Sequence, residues 1–446
     1  MSSSLYKWVM STSIALFTLL LICSGQIWAQ GSGPAFVSPV GITIGLDSNW
    51  YVVDEGSDTV LRVVSDSGQR TVISSRNIGL GPALSRPVAI ARAQNSEELL
   101  VADRNLRAIL GVNPNNGNRR LISGCPVSSD PCPVIPQGLG PPFGDPVALT
   151  AADGSSSIFV VDDDRKALIR VNTLTGNRTT LSSSTMGSGP DFETLVGVAI
   201  TNFGNVFALD QILDALVRVN LINGERGIAS GCPTAEDPCP EPIVGSGINF
   251  DRPTSIAFQR EPNLVVTDAD LGAILSVNPN TGDRAILSDA SLGTGPVFLN
   301  PMAIVVEANG TLVVVDESRK AIMSVDPVTG DREIVSRATD LIISPPTGIY
   351  TSKQNFDLAL ITNREGDFTL SFKVADVEVA DQIRDCGDRA PLNSGGTIIS
   401  CPNIVSFLNL LPGRHRIRAA ITFPSGQTSP MNETTIVTRG EWDIVE

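Results

Sequence analysis

Asn263-Leu-Val-Val-Thr-Asp268-Ala-Asp-Leu-Gly-Ala-Ile-Leu-Ser-Val277-Asn-Pro-Asn-Thr-Gly282-Asp-Arg284 is one copy of a pattern that recurs six times in this chain. Each copy opens on an apolar run that closes on aspartate: Asp54, Asp103, Asp162, Asp210, Asp268 and Asp316. Nine residues on stands a valine: Val63, Val112, Val171, Val219, Val277 and Val325. Fourteen on stands a glycine: Gly68, Gly117, Gly176, Gly224, Gly282 and Gly330. Sixteen on stands an arginine: Arg70, Arg119, Arg178, Arg226, Arg284 and Arg332. Agreement of every copy at three offsets is an internal repeat, not a product of composition.

Working outward from the fifth copy, short strands are expected at 254–259, 263–268, 273–278 and 284–288. They are rich in Val, Ile and Leu and divided by turn chemistry. In Asn278-Pro-Asn-Thr-Gly282 the proline presets φ and the glycine accepts a positive one. Asn113-Pro-Asn-Asn-Gly117 and Asp326-Pro-Val-Thr-Gly330 repeat the turn. Four-stranded units of this length are propeller blades, and six of them close a ring. The fold class expected is therefore all-β: a six-bladed β-propeller over 34–338. A solenoid is the rival, but its repeats are usually shorter and need capping ends.

Successive repeat aspartates stand 49, 59, 48, 58 and 48 residues apart. The two long steps hold Cys125-Pro-Val-Ser-Ser-Asp-Pro-Cys132 and Cys232-Pro-Thr-Ala-Glu-Asp-Pro-Cys239. Each pair sits in an insertion between blades, and Cys386 with Cys401 makes a third pair. Local pairing and even number point to disulfides in an oxidising compartment. Zinc is disfavoured, because its sites use closer spacings and usually add histidine.

The N-terminus supports the same compartment. Lys7, the apolar run from Ile14 to Ile22, and Ala29 before Gln30 read as a signal peptide over 1–29. The run falls short of the about 20 residues of a comfortable membrane span. Ile22 stands where a lipidation signal needs a small residue before Cys23, so lipidation is not expected. The chain is expected to be exported, periplasmic or extracellular, with no integral span after cleavage. Net charge is −15 and no basic stripe appears, so a nucleic-acid partner is not expected.

Gly293-Thr-Gly-Pro-Val-Phe-Leu-Asn-Pro-Met-Ala-Ile304, followed by Gly310-Thr-Leu-Val-Val-Val-Asp316 and Ala321-Ile-Met-Ser-Val-Asp326, resembles an NHL repeat. The resemblance extends to the six-bladed gluconolactonase-like proteins and covers about residues 34–338. It implies architecture rather than activity, since that superfamily holds lactonases, lyases and pure binding modules. Its calcium-dependent members carry a metal-binding Glu near the opening of the first blade. Pro34-Ala-Phe-Val-Ser-Pro39 contains none, which counts against that activity here.

After a linker at 339–348, residues 349–446 read as a small Ig-like β-sandwich. Strands are expected at 356–362, 368–379, 405–411, 415–423 and 434–437, with Pro412-Gly413 and Pro424-Ser-Gly426 as turns. The single histidine, His415, lies in this tail. The propeller thus lacks the histidine that triads and His-based lyases require. Carboxylate chemistry or a calcium site survives that test, with Asp162-Asp-Asp164 as the most acidic run. Aspartates present in every blade are read as structural, accepting bonds from the turn that follows. The repeat arginines are read likewise, paired with a neighbouring Asp or a strand carbonyl.

Function is then sought where copies differ. The residues just before the first-strand proline are Ser38, Arg86, Asp145, Arg252 and Asn300, and the fourth blade lacks that proline. In related propellers this position lies near one mouth of the channel. The ring is a candidate site for a protein or a small anionic or zwitterionic ligand. The expected function is a non-catalytic binding or scaffolding propeller with no cofactor. A calcium-dependent hydrolase or lactonase is the alternative. Asn177, Asn309 and Asn432 open Asn-x-Thr sequons.

Overall fold

The computed structural model describes residues 31 and 33–337, except 94–95, 126–136, 153–154 and 233–242, and backbone strands beyond 341. The first blade is built of Pro39–Ile44, Trp50–Asp54, Thr59–Val63 and Arg70–Ser74, each strand antiparallel to the next. Five further sheets repeat this order, beginning at Pro87, Pro146, Leu195, Pro253 and Pro301. The innermost strand of every blade touches those of the blades before and after it, and Pro39–Ile44 meets Pro301–Val306. Six blades therefore close a ring, as the repeat requires.

The core lies between blades rather than inside any one of them. Six clusters of buried apolar side chains each join two neighbouring blades. In the cluster that closes the ring, Trp50, Val52 and Leu61 pack against Val313, Val315 and Ile322. A sheet covered on both faces needs apolar residues on both, so the second strands read as continuous rather than alternating apolar runs. Trp50–Asp54 and Leu99–Asp103 are buried at every position. Innermost strands also approach closely through small residues. A Cβ added at Gly41 would come within 2.8 Å of the Val53 side chain and 3.2 Å of the Val88 carbonyl.

Ring closure, which the repeat leaves open, uses no exchanged strand. Blade six is complete within 301–337 and blade one within 39–74. Gly31 and residues 33–36 instead lie along the seam, where the other seams have a continuous linker. Trp50 Nε1 adds a bond across this seam to Glu307 Oε1, at 3.0 Å.

Beyond residue 341 the strands form two sheets. One orders Ile342–Ser344, Leu358–Thr362, Thr397–Cys401 and Asp388–Pro391; the other joins Gly348–Thr351, Asn432–Arg439, Gly413–Thr422, Thr369–Val374 and Val377–Glu378. The strand expected at 405–411 lies outside the described residues. So do the signal peptide, Cys132, Cys239 and the linker residues 339–341 and 345–347.

Candidate functional site

Antiparallel pairing brings the end of each second strand beside the start of the first. Asp54 pairs with Pro39, and the other five repeat aspartates do the same in their own blades. Each carboxylate is fully buried and accepts two backbone N–H groups from the loop that enters its blade. Asp54 accepts from Val37 at 2.7 Å and Ser38 at 3.0 Å, and from Ser57 in the following turn at 3.0 Å. Burial pushes Asp103 and Asp162 above the usual aspartate range, against the pull of these backbone bonds. The repeat aspartates are structural, as expected.

The arginines form six staples between blades. Arg178 Nε donates to Pro141 O at 2.7 Å, and its Nη1 donates to Ser123 Oγ at 2.7 Å and Gln137 O at 2.8 Å. Ser123, last but one in the outer strand of the preceding blade, donates to Gly176 O at 2.7 Å. Arg119, Arg226, Arg284 and Arg332 make the same contacts with Ser74, Ser182, Ser230 and Ser288. Arg70 closes the ring on Ser336 at 2.8 Å and on Pro34 O at 2.7 Å. Carbonyls and serine hydroxyls are thus the main partners. Arg226 has a carboxylate as well, Asp191 at 3.1 Å. Burial pushes Arg70 down to about 10, which leaves it a cation at neutral pH.

Two partners of these staples were legible but missed. A serine follows each repeat arginine by four positions, from Ser74 to Ser336. A Gly-x-Gly pair precedes every blade, and in five of them an aromatic three residues later stacks under the guanidinium: Phe36, Phe143, Phe192, Phe250 and Phe298. Blade two has Leu84 there. The glycine and aromatic signals lie in the linkers and the serines in the outer strands, and the Asp, Val, Gly and Arg offsets used to find the repeat include none of them.

Ser38, Arg86, Asp145, Arg252 and Asn300 all stand at the start of an innermost strand, and so at one mouth of the ring. Each is engaged at a seam. Arg86 pairs with Glu55 of blade one, and Asp145 accepts both Nε, at 2.5 Å, and Nη2 of Arg104 of blade two. Arg252 donates to Asn300 Oδ1 at 3.1 Å and to Asp270 at 2.6 Å. Ser38 Oγ lies 3.2 Å from Glu317 Oε1, and Asn300 Nδ2 donates to Glu317 Oε2 at 3.4 Å. At the remaining two seams, Gln211 Nε2 donates to Pro253 O at 3.1 Å, and Leu195 N donates to Asp163 Oδ1 at 2.8 Å. That last bond explains the missing proline of blade four: Leu195 keeps an N–H that proline would lack. Every seam at the mouth is tied by a different pair.

The channel behind this mouth is narrow, about 230 Å³, and walled by all six innermost strands. Its side chains are those of Val40, Val88, Val147, Val196, Met302 and their apolar neighbours, with hydroxyls from Thr43, Thr150, Thr254 and Ser255. Among the described residues no carboxylate lines it. Three or four oxygen-bearing acidic or amide side chains converging on the axis, as a calcium-assisted reaction requires, are absent from this wall. Among the described residues no group of three or more His, Cys, Asp or Glu is placed to hold a metal ion. No helix among them is long and apolar enough to cross a membrane.

No protein-family model and no curated protein matches the chain. Solved structures that resemble it include a gluconolactonase from Xanthomonas campestris, at 10% identity and TM-score 0.46 over 67% of this chain and 87% of that one. Virginiamycin B lyase from Staphylococcus aureus follows at 11% identity and TM-score 0.44, covering 72% and 91%. An auxiliary nutrient-binding protein from Bacteroides thetaiotaomicron has 12% identity and TM-score 0.45, covering 65% and 69%. Likeness of this degree carries no residue role or activity over to this chain.

Proposed function

We propose that the chain is an exported, non-catalytic binding or scaffolding propeller that presents its mouth face to a protein or small ligand. The carrying observation is the contrast between the channel and its rim. The wall is apolar apart from four hydroxyl side chains, whereas the mouth sets Glu55, Arg86, Arg104, Asp145, Asp163, Arg252 and Glu317 around one opening. Charges held in fixed pairs are preorganised for a polar partner and cost little to order on binding. The alternative is a calcium-dependent hydrolase or lactonase, for which the described channel wall offers no carboxylate set.

The oxidising compartment belongs to this reading. Cys125 and Cys232 are buried at the ends of outer strands, and both are disulfide-bonded, which supports pairing with Cys132 and Cys239. The Cys386–Cys401 link, the signal peptide over 1–29 and the Ig-like sandwich over 349–446 are parts of the same proposal. The two sheets beyond residue 341 support the last.

The test is retention of a partner from the exported fraction on the immobilised mature chain, beside a turnover assay with glucono-1,5-lactone and calcium. The Arg86→Ser/Arg252→Ser variant should fold, because exposed ion pairs contribute only about 0–1 kcal/mol each. It should lose the partner, and the lactone should decay at the buffer rate. Lactone turnover that tracks the protein concentration would overturn the proposal.

A further inference from the structure

Across the face it turns to blade three, blade two combines three residues that no other blade brings together. Glu98 stands just before the second strand Leu99–Asp103, Gly111 in the third strand Ala108–Val112, and Arg120 in the outer strand Arg119–Gly124. At the first of these repeat positions the other blades carry Asn, Ser or Thr, and at the second Arg or Ser. At the third they carry Thr, Gly, Ala or Glu, so blade two alone joins an acid at the first to a base at the third. The Glu98 carboxylate reaches over the third strand and accepts both arms of the Arg120 fork, Nε at 2.6 Å and Nη2 at 2.8 Å. Gly111 makes room for it, because an added Cβ would collide with Glu98 Oε1. Its φ is not positive, so the carboxylate rather than the backbone calls for glycine.

This arrangement adds little to stability. Exposed ion pairs contribute weakly, and glycine inside a strand loses more backbone entropy on folding than any other residue. What it makes is a flat, fixed pair in one wall of a cleft of about 370 Å³ at the seam of blades two and three. That volume falls within the range of small-molecule sites. Blade three supplies the facing wall, with Ser156, Ser157, Thr173 and Leu174. The hydroxyls of Ser156 and Ser157, like Arg120 Nη1, have no partner among the described residues. Larger clefts, of about 720 and 730 Å³, lie at the corresponding faces of blades four and six. Among the described residues neither has an ion pair within its wall.

We infer that the cleft between blades two and three binds a neutral carbohydrate. The charges of Glu98 and Arg120 cancel, and an ionic ligand must break their pair to gain a contact of its own. A sugar hydroxyl needs no such break. It donates to a remaining lone pair of the Glu98 carboxylate and accepts from Arg120 Nη1. Further hydroxyls of the sugar meet Ser156 and Ser157, and the C–H face of its ring lies on Leu174, which is 79% exposed. The second strand runs from Glu98 to Asp103 at the mouth, so the cleft lies at the opposite end of the blade. No cleft residue belongs to the ring of seam pairs, and the inference is independent of any partner at the mouth.

The experiment is saturation-transfer NMR on the full-length chain. The neutral probes are D-glucose, D-galactose, D-mannose, N-acetyl-D-glucosamine and maltose; the charged ones are D-glucuronate and D-glucosamine. At least one neutral sugar should receive saturation, and more of it than either charged probe. Arg120→Ala removes an exposed ion pair and should leave the melting temperature nearly unchanged. The neutral sugar should then bind at least about tenfold more weakly, the loss expected for one charge-assisted contact. Gly111→Ala pushes the Glu98 carboxylate out of the fork and should weaken binding as well; if it unfolds the chain, Arg120→Ala decides alone. Glu333→Gln, in the cleft beside blade six, should leave binding unchanged. Absence of transfer to all five neutral sugars would overturn the inference. So would stronger transfer to a charged probe, binding that survives Arg120→Ala, or binding lost on Glu333→Gln.

Discussion

Arg178 shows what a single repeated residue does in this molecule. Its guanidinium satisfies three acceptors from the blade before it and from the linker, and lies 5.5 Å from the Phe143 ring centroid. Arg178→Met should keep most of the packing and strand those acceptors in a buried seam. The expected cost is about 3 kcal/mol in a urea denaturation series, and Arg178→Lys should recover little, because an ammonium cannot reproduce the fork. Glu317 acts at the opposite end of its blade, and acid should expose its role. Burial pushes its carboxyl up, but bonds from Lys320, Asn300 and Ser38 and the Lys320 charge outweigh this and hold it below the usual range. A carboxylate lowered in the folded state stabilises above its unfolded pKa, and that contribution fades as pH falls through the folded value. Glu317→Gln should therefore flatten the loss of stability on acidification below about pH 4.5, read from melting temperature against pH.

At the scale of the element, strands repeat while their junctions differ. Leu195 N is a buried donor whose acceptor is Asp163, so Asp163→Ala should cost about 1–3 kcal/mol. Glu55→Ala removes an exposed ion pair at the equivalent position and should cost under about 1 kcal/mol in the same denaturation assay. The turns between second and third strands hold one residue in the left-handed region: Asp58, Arg107, Lys166, Asp214 and Lys320, with Gly272 in blade five. Burial, Asp103 and Glu55 also push the Asp58 carboxyl up. Asp58→Gly should relieve both strain and repulsion and raise stability by about 1 kcal/mol, seen as a higher melting temperature. Strand positions were legible because apolar runs and turn residues are local signals. The seam pairs were not, because Glu55 with Arg86 or Asp163 with Leu195 meet only after the ring closes.

Across the whole molecule, one motif serves six seams, and one of those seams lacks a covalent linker. Arg70 and Ser336 close it with the same geometry as the other five, and Gly31, Gly33 and Pro34 supply carbonyls from the N-terminal side. Blade number, blade size and the structural duty of Asp and Arg could all be read from periodicity. The mode of closure could not, because it depends on Gly-x-Gly and Ser positions that the strand pattern passes over. The five candidate residues before the innermost strands do assemble at one mouth, but all of them are also seam contacts. Binding there must engage pairs already formed. A photo-crosslinking amino acid placed at Glu193 or Asp251, exposed beside the mouth, and at Val328, on a hairpin tip at the other end of its strand, tests this most directly. Adducts with the retained partner from positions 193 and 251, and none from 328, are the result expected of a mouth-face binding propeller. Adducts from 328 alone would contradict it.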